Sequence, residues 1–247
     1  MKISYILKLL LFFVLSAAMI LGSCAAFGGF FDWGSLSSGV DAQSCVKYKT
    51  VIIDAGHGGE DGGASSKSGL IEKHLNLEIA LILREMLTAQ GIDVVMTRTD
   101  DRLLYDRNVD FEGRKKKLDL AARLEVAKTY EESIFISIHM NSFSDPRYSG
   151  LQVWYSQNCP ESMVLAQKIQ TNTRQKLQPY NKRTIKAAGS KIFLLDNAIS
   201  PAVLIECGFL SNPDEAALLG DGQYKREIAQ VMLEAITEFL RESSSPS

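Results

Sequence analysis

The stretch Val51-Ile-Ile-Asp-Ala-Gly-His57-Gly-Gly59 decides the fold, because it joins an apolar run to a glycine-rich turn that carries a histidine. The β-branched run at 51–53 is typical of a buried central strand. The glycines that follow allow a sharp turn and a close approach of the backbone to another group. Open α/β sheets place their ligands at the carboxyl ends of such strands. A single turn histidine is more often a solvated residue, so a role for His57 depends on partners elsewhere in the chain.

Two further residues are candidate partners of His57. Glu72 stands just before a helical pattern, and His139 ends the apolar run 133–139. Two histidines at strand ends and one carboxylate at a helix start could supply three protein ligands to zinc. Catalytic zinc sites commonly have three protein ligands and leave the fourth position to water.

A fourth candidate, Glu206, ends the apolar run 202–205 at another strand terminus. A carboxylate beside a zinc site can take a proton from water and pass it to a leaving amine.

Two residues that lie next to these candidates in the sequence are expected to have no role in the site. Cys207 should face away from the site, since successive side chains on a strand point to opposite faces, and is expected to be buried. His74 does not share a helix face with Glu72 and is expected to face solvent.

Four motifs, in this order, resemble those of a known family. They are Ile53-Asp-Ala-Gly-His-Gly-Gly59, Gly69-Leu-Ile-Glu-Lys73, Ser137-Ile-His-Met-Asn141 and Leu204-Ile-Glu-Cys-Gly-Phe-Leu-Ser-Asn-Pro213. Together they resemble the zinc-dependent N-acetylmuramoyl-L-alanine amidases of the amidase-3 type, which trim peptidoglycan, over about residues 48–242.

The resemblance implies a function and a set of site residues. The zinc ligands would be His57, Glu72 and His139, Glu206 would be the catalytic acid/base, and Asn141 would support the site or contact substrate. The bond cleaved would join the lactyl group of N-acetylmuramic acid to L-alanine of the stem peptide. A small catalytic domain behind a leader, without wall-binding repeats, also resembles the spore-cortex branch of the family.

Two other functions remain open from the sequence. One is a zinc peptidase or deacetylase that acts on another bond, and the other is a non-catalytic peptidoglycan-binding or adaptor protein on the same scaffold.

The short segment between His139 and Glu206 leaves little room for the long blocking helix of some relatives. We therefore expect an open groove, controlled by a protein partner, by metal supply or by expression. The family's helical Arg-x-x-x-Ala-Asn pattern appears here as Arg123 to Lys128, without the asparagine.

Composition limits the size of the core and the kind of partner. A chain of 247 residues with 46% apolar residues can build one sizeable α/β core. The formal charge is −2, and it becomes −4 if a leader with Lys2 and Lys8 is removed. This mild acidity argues against a nucleic-acid partner.

The first residues have the pattern of an export signal. We expect a signal peptide or membrane anchor at 1–23, a linker at 24–46, the catalytic domain at 47–243 and a disordered tail at 244–247. Leu21-Gly-Ser-Cys24 resembles a lipoprotein cleavage box, so the leader could be cleaved, lipidated at Cys24 or retained. The chain is expected at the extracellular face of the bacterial membrane or in the spore intermembrane space, anchored or secreted. Cys45 and Cys159 could form a disulfide, which the sequence does not decide.

The pattern of elements predicts a single α/β domain with a twisted, mostly parallel sheet and helices on both faces. Helices are expected at about 72–90, 118–130, 162–178 and 224–242, and strands at about 92–98, 150–155 (nearer an edge) and 191–195, besides those that end near His57, His139 and Glu206. Asn212 is expected to cap a helix that begins at Pro213. Because the site residues lie where their strands stop, we expect them to meet at one edge of the sheet.

Overall fold

A single mixed sheet organises the part of the chain that the computed structural model describes, residues 48–105, 108 and 113–243. Its strands are β1 (Thr50–Ala55), β2 (Asp93–Met96), β3 (Ser133–Asn141), β4 (Gln152–Tyr155), β5 (Lys186–Ala187) and β6 (Ala202–Phe209). Their spatial order is β2-β1-β3-β6-β4-β5. The neighbours from β2 to β6 are parallel, whereas β4 runs antiparallel to β6. The apolar composition of β1, β3 and β6 fits central parallel strands that are buried on both faces.

Helices cover both faces of the sheet. They are α1 (Glu72–Ala89), α2 (Lys115–Thr129), α3 (Glu161–Lys176), the single turn α4 (Phe193–Asp196), α5 (Pro213–Gly220) and α6 (Gly222–Glu242). The chain passes from β1 through α1 to β2 on one side of β1, and then through α2 to β3 on the other side. Right-handed crossovers in opposite directions place α1 and α2 on opposite faces.

Each face has its own apolar core. The larger core joins α1, α3 and α6 to side chains such as Ile53, Ile136 and Ile205. The smaller core joins α2 and α4 to Ile52, Phe135 and their neighbours. Side chains alternate along β3, so Ser137 and His139 lie on the face of the smaller core, beyond its apolar part.

The predicted fold class is confirmed, and so are the four long helices to within a few residues. Asn212 caps α5 as expected, since its side chain accepts hydrogen bonds from the backbone N–H groups of Asp214 and Glu215. The strand predicted at 191–195 is wrong, because Leu194 and Leu195 enter the smaller core from the helical turn α4. The last strand of the sheet is instead β5, a two-residue strand in the polar segment between α3 and α4.

The predicted leader, linker and tail, with Cys24 and Cys45, lie outside the described residues. Within the described residues, no helix is both long and apolar enough to cross a membrane.

Candidate metal centre and active site

Three of the predicted site residues meet at the carboxyl edge of the sheet. His57 follows β1, His139 lies near the end of β3, and Glu72 opens α1. Glu72 Oε1 is 3.2 Å from His57 Nε2 and 3.0 Å from His139 Nδ1. One ligand atom from each residue lies within 4.8 Å of the others, an arrangement that could hold a metal ion.

Glu72 is fixed by backbone donors on both of its oxygens. Ala64 N donates to Oε2 at 2.7 Å, and Met140 N donates to Oε1 at 3.0 Å. Burial alone raises the pKa of Glu72, but hydrogen bonds from His139 and His57 outweigh it and hold the pKa well below its usual range. The carboxylate is therefore ionised at neutral pH.

Asp61 lies against the second ring nitrogen of His57. Asp61 Oδ2 lies 2.9 Å from His57 Nδ1, on the nitrogen that does not face Glu72. Burial lowers the pKa of His57, but the interactions with Glu72 and then Asp61 outweigh it and raise the pKa. Histidine ligands of metals commonly have a carboxylate on their other nitrogen, which orients the ring.

The backbone at His57 adopts an unusual conformation that two arginines stabilise. Its φ of +62° lies in the left-handed region, and no other non-glycine residue of the described chain has a positive φ. Arg123 Nη2 donates to His57 O at 2.7 Å. Arg98 Nη2 donates to Gly56 O at 3.0 Å, and its Nε donates to Ala55 O at 2.8 Å. The loop that carries His57 is thus bonded to two buried arginine side chains, one from α2 and one from the segment that follows β2.

A buried ionic network connects this loop to α2. Arg123 Nη1 is 2.6 Å from Asp54 Oδ1, and its Nε is 2.7 Å from Asp119 Oδ2. Ser137 Oγ donates to the other Asp54 oxygen at 2.6 Å. Burial raises the pKa of Asp54, but the positive charge of Arg123 and the Ser137 hydrogen bond outweigh it and lower the pKa. The sequence shows Arg123 only as the first residue of the family's helical Arg-x-x-x-Ala-Asn pattern and does not predict that it bonds to Asp54 and to the His57 loop.

Two glycines permit the close packing of the ligands. A Cβ at Gly56 would overlap the imidazole of His139, and a Cβ at Gly63 would overlap the Glu72 carboxylate and the His57 ring. Gly63 also has a φ of +68°. A side chain at either position would displace a candidate ligand.

Glu206 lies beside His139 in the sheet. The two are register partners on β6 and β3, and Gln152 of β4 is the partner of Glu206 on the other side. Register partners project to the same face at a strand spacing of about 4.8 Å. Glu206 Oε2 is buried and has no hydrogen-bond partner among the described residues. Burial, together with the negative charge of Glu72, raises the pKa of Glu206 to about 7, although the electrostatic effect of Arg183 opposes this rise.

The structure also gives the positions of Asn141, His74, Cys207 and Cys159. Asn141 lies at the end of β3 and is partly buried, and its side chain makes no hydrogen bond within the described chain. The side chain of His74 is 50% exposed, and Cys207 is fully buried in the larger core, both as predicted. Cys159 Sγ donates to Glu161 Oε2 at 2.9 Å, whereas Cys45, with which the sequence leaves a disulfide open, is outside the described residues.

The donor set fits a divalent cation. Two imidazoles and a carboxylate are common ligands of zinc and similar ions. Metal–ligand bonds of about 2.0–2.1 Å in a tetrahedral site place ligand atoms about 3.3–3.4 Å apart. The contacts of Glu72 Oε1 to the two rings, at 3.0 and 3.2 Å, lie close to this spacing. Two anionic neighbours, Glu72 and Asp61, also favour a positive charge at this point.

Comparison with known proteins identifies the family. The family model for N-acetylmuramoyl-L-alanine amidase, Amidase_3, matches residues 51–238. The chain belongs to this amidase family. The predicted family and the predicted extent of the match are both confirmed.

The chain is similar to several characterised relatives. It is 36% identical to the germination-specific N-acetylmuramoyl-L-alanine amidase of Bacillus subtilis, over 80% of this chain and 82% of that protein. It is 27% identical to the amidase AmiA of Escherichia coli, over 77% of this chain and 76% of that protein. Among solved structures, the CwlD amidase of Clostridioides difficile, in complex with the GerS lipoprotein, matches with a TM-score of 0.75. That match has 38% identity and covers 78% of this chain and 99% of the other.

These comparisons establish the enzyme class. The chain is a hydrolase that cleaves the amide bond between N-acetylmuramic acid and L-alanine in peptidoglycan. The sequence-based prediction of an amidase is therefore confirmed. The comparisons give no support to the alternative functions, namely a peptidase, a deacetylase or a non-catalytic adaptor protein.

Proposed function

We propose that His57, Glu72 and His139 bind a catalytic zinc ion in this amidase. His57 would bind through Nε2 and His139 through Nδ1, the atoms that face Glu72 Oε1. Zinc in such a site polarises a carbonyl and makes water a stronger nucleophile at neutral pH. The hydrogen bonds to Ala64 and Met140 hold the Glu72 carboxylate in place, and Asp61 orients the His57 ring.

Glu206 is proposed as the general acid/base. The observation that carries this assignment is its position beside His139, with a buried oxygen that has no hydrogen-bond partner among the described residues. A carboxyl group with a pKa near neutrality can accept the proton of the attacking water and then donate it to the departing amine of L-alanine. Asn141 lies at the same edge, and its side chain makes no hydrogen bond within the described part of the chain; it is proposed to support the site or contact substrate.

We propose a role in the spore cortex and a location outside the cytoplasm. The similarity to a germination-specific amidase and to CwlD supports the first part. The substrate, peptidoglycan, supports export of the catalytic domain at 47–243 by a leader at 1–23, with a linker at 24–46, a tail at 244–247 and an anchor through the leader or a lipidated Cys24. The complex of CwlD with the GerS lipoprotein supports a protein partner for this chain as well.

The acid/base assignment is tested with Glu206→Ala. Removal of a positioned proton carrier should lower the rate of release of stem peptides with a free L-alanine amine by about 10²–10⁴-fold. Zinc content, measured by atomic emission on the purified variant, should stay at the wild-type level. Normal cleavage by this variant would contradict the assignment.

The ligand assignment is tested with His57→Ala, with His74→Ala as the matched control. His57→Ala should lose both zinc and activity, since one of three protein ligands is gone. His74 lies on the exposed side of α1, so its variant should keep both. An unchanged zinc content in His57→Ala would remove this residue from the ligand set.

A further inference from the structure

A cationic and aromatic groove adjoins the site on the side of Glu206 away from the histidines. Its volume is about 370 Å³, and its lining includes Arg147, Tyr148, Tyr180, Lys182 and Arg183. Tyr148 and Tyr180 are 46% and 55% exposed, so part of each ring is open to a ligand in the groove. The amidase mechanism proposed above uses none of these residues.

Arg183 is held rigidly at the inner end of this groove. Its Nε donates to Ser149 O at 2.7 Å, and its Nη1 donates to Gln152 Oε1 at 2.9 Å. The guanidinium lies over the ring of Phe209, with Cζ 4.4 Å from the ring centroid. Gln152 itself donates to Thr184 O at 2.9 Å, so the amide that holds Arg183 is also fixed.

This arrangement brings Arg183 next to the reacting groups. Gln152 is the register partner of Glu206, which is in turn the partner of His139. A row of three neighbouring strands therefore leads from the candidate metal ligand, through the acid/base, to the amide that holds Arg183.

The guanidinium keeps binding capacity towards the groove. Within the described chain, its Nη2 donates no hydrogen bond, and no carboxylate forms a salt bridge with it. A planar guanidinium with an unused edge is the preferred partner of a carboxylate in proteins. Arg147, by contrast, is already paired with Asp145 at 2.7 Å.

We infer that Arg183 is a specificity-determining residue that binds a carboxylate of the stem peptide beside the scissile amide. The inference rests on the proposed function, since it places the peptide on the Glu206 side of the site. Glu206 delivers its proton to the departing L-alanine amine, so the peptide must leave from this side. The residue that follows L-alanine then lies against Arg183, and Tyr148 flanks it.

The test uses two soluble peptidoglycan fragments and the full-length enzyme with zinc bound. The fragments are identical, except that the residue after L-alanine carries a free carboxylate in one and its primary amide in the other. The wild type should cleave the free acid with a kcat/KM about 10- to 100-fold higher than that of the amide, mostly through a lower KM. Arg183→Gln should lose this preference, so that it cleaves the two fragments with similar kcat/KM values.

Two variants separate this role from other effects. Lys182→Gln removes an exposed charge from the same groove and should keep the preference. Arg183→Lys keeps the positive charge but loses the planar guanidinium, and it should keep only part of the preference for the free-acid fragment. Thermal unfolding and zinc content of Arg183→Gln, compared with the wild type, report on its fold and its metal site.

The outcomes are distinguishable. An equal loss on both fragments in Arg183→Gln, or an equal loss of preference in Lys182→Gln, would overturn the inference in favour of a structural or bulk-charge effect. A wild type that shows no preference between the fragments would also overturn it. A wild type that cleaves neither fragment at the muramoyl-L-alanine bond would instead contradict the proposed function.

Discussion

Gly56 shows how closely the ligands of this site are packed. Its Cα faces the His139 imidazole so directly that any Cβ would overlap the ring. Gly56 therefore contributes to the candidate metal centre by leaving space for the His139 ring; its backbone does not have the positive φ that would by itself favour glycine. The neighbouring His57 has the opposite problem, because its left-handed backbone costs about 1–2 kcal/mol that the surrounding hydrogen bonds must offset.

The Gly56→Ala variant is expected to lose zinc without unfolding. The added methyl would displace the His139 ring and separate it from Glu72, so zinc affinity should fall by at least about tenfold. The measurement is competition with a chromogenic chelator. Gly189→Ala is the control, since a Cβ at that position meets nothing within 4 Å, and it should bind zinc as the wild type does. Equal affinities for the two variants would contradict the packing argument.

The sequence predicts that the proposed ligands meet at one edge of the sheet, but it does not predict the residues that support them. His57, His139 and Glu206 follow apolar runs, so their place at the strand ends is visible in the pattern. Asp61 and Arg183 lie in polar loops that carry no periodic signal. Their contacts with the site depend on how distant segments pack, which a single sequence does not specify.

At the scale of elements, α2 acts as a support for the loop after β1. Arg123 extends from this helix to the Asp54 side chain and to the His57 carbonyl. Asp119, one turn earlier on α2, holds the arginine from behind and also accepts from Leu104 N at 2.7 Å. The helix thus connects the segment that follows β2, through Leu104, to the loop that carries His57.

Loss of Arg123 is expected to destabilise the whole domain. Arg123→Met would leave Asp54 and Asp119 buried without their partner, and such a change costs about 3–5 kcal/mol. Urea unfolding monitored by circular dichroism measures this loss. Lys176→Met is the control, because Lys176 and Glu234 form an exposed pair at 2.7 Å whose removal should cost less than about 1 kcal/mol.

A double variant isolates the Arg123–Asp54 interaction. Asp54→Asn removes the buried charge that Arg123→Met leaves unpaired, so the combined loss should be smaller than the sum of the single losses by at least about 1 kcal/mol. Strict additivity would mean that the two side chains contribute independently, in conflict with their 2.6 Å contact.

The elements also show where sequence patterns are ambiguous. The run at 191–195 contains Ile192, Phe193, Leu194 and Leu195, which suit either a short strand or one helical turn. Length and flanking residues cannot separate these alternatives for so short a run. The structure uses it as a helical turn because only this places both leucines in the smaller core. The long helices, with several turns of periodic apolar residues, were predictable.

For the whole molecule, the site concentrates carboxylates that respond to pH in opposite ways. The pKa values of Glu72 and Asp54 are lowered, so their contribution to stability is present at neutral pH and is lost only in acid. The pKa of Glu206 is raised to about 7 from 4.5. Its contribution is fully present below pH 4.5 and is lost as the pH rises through about 7, because the folded state then holds a buried charge.

The metal-free wild type should therefore lose stability relative to Glu206→Gln as the pH rises from 4.5 to 8. Glutamine remains neutral, so the difference in the free energy of unfolding should grow by about 2–3 kcal/mol over this range. Urea unfolding of both proteins in chelator at several pH values measures it. Added zinc should reduce the difference, because a nearby cation favours the ionised carboxylate and stabilises the wild type more. A difference that does not change with pH would show that Glu206 ionises as readily in the folded chain as in the unfolded one, and its assignment as a proton carrier near neutral pH would then lose its basis.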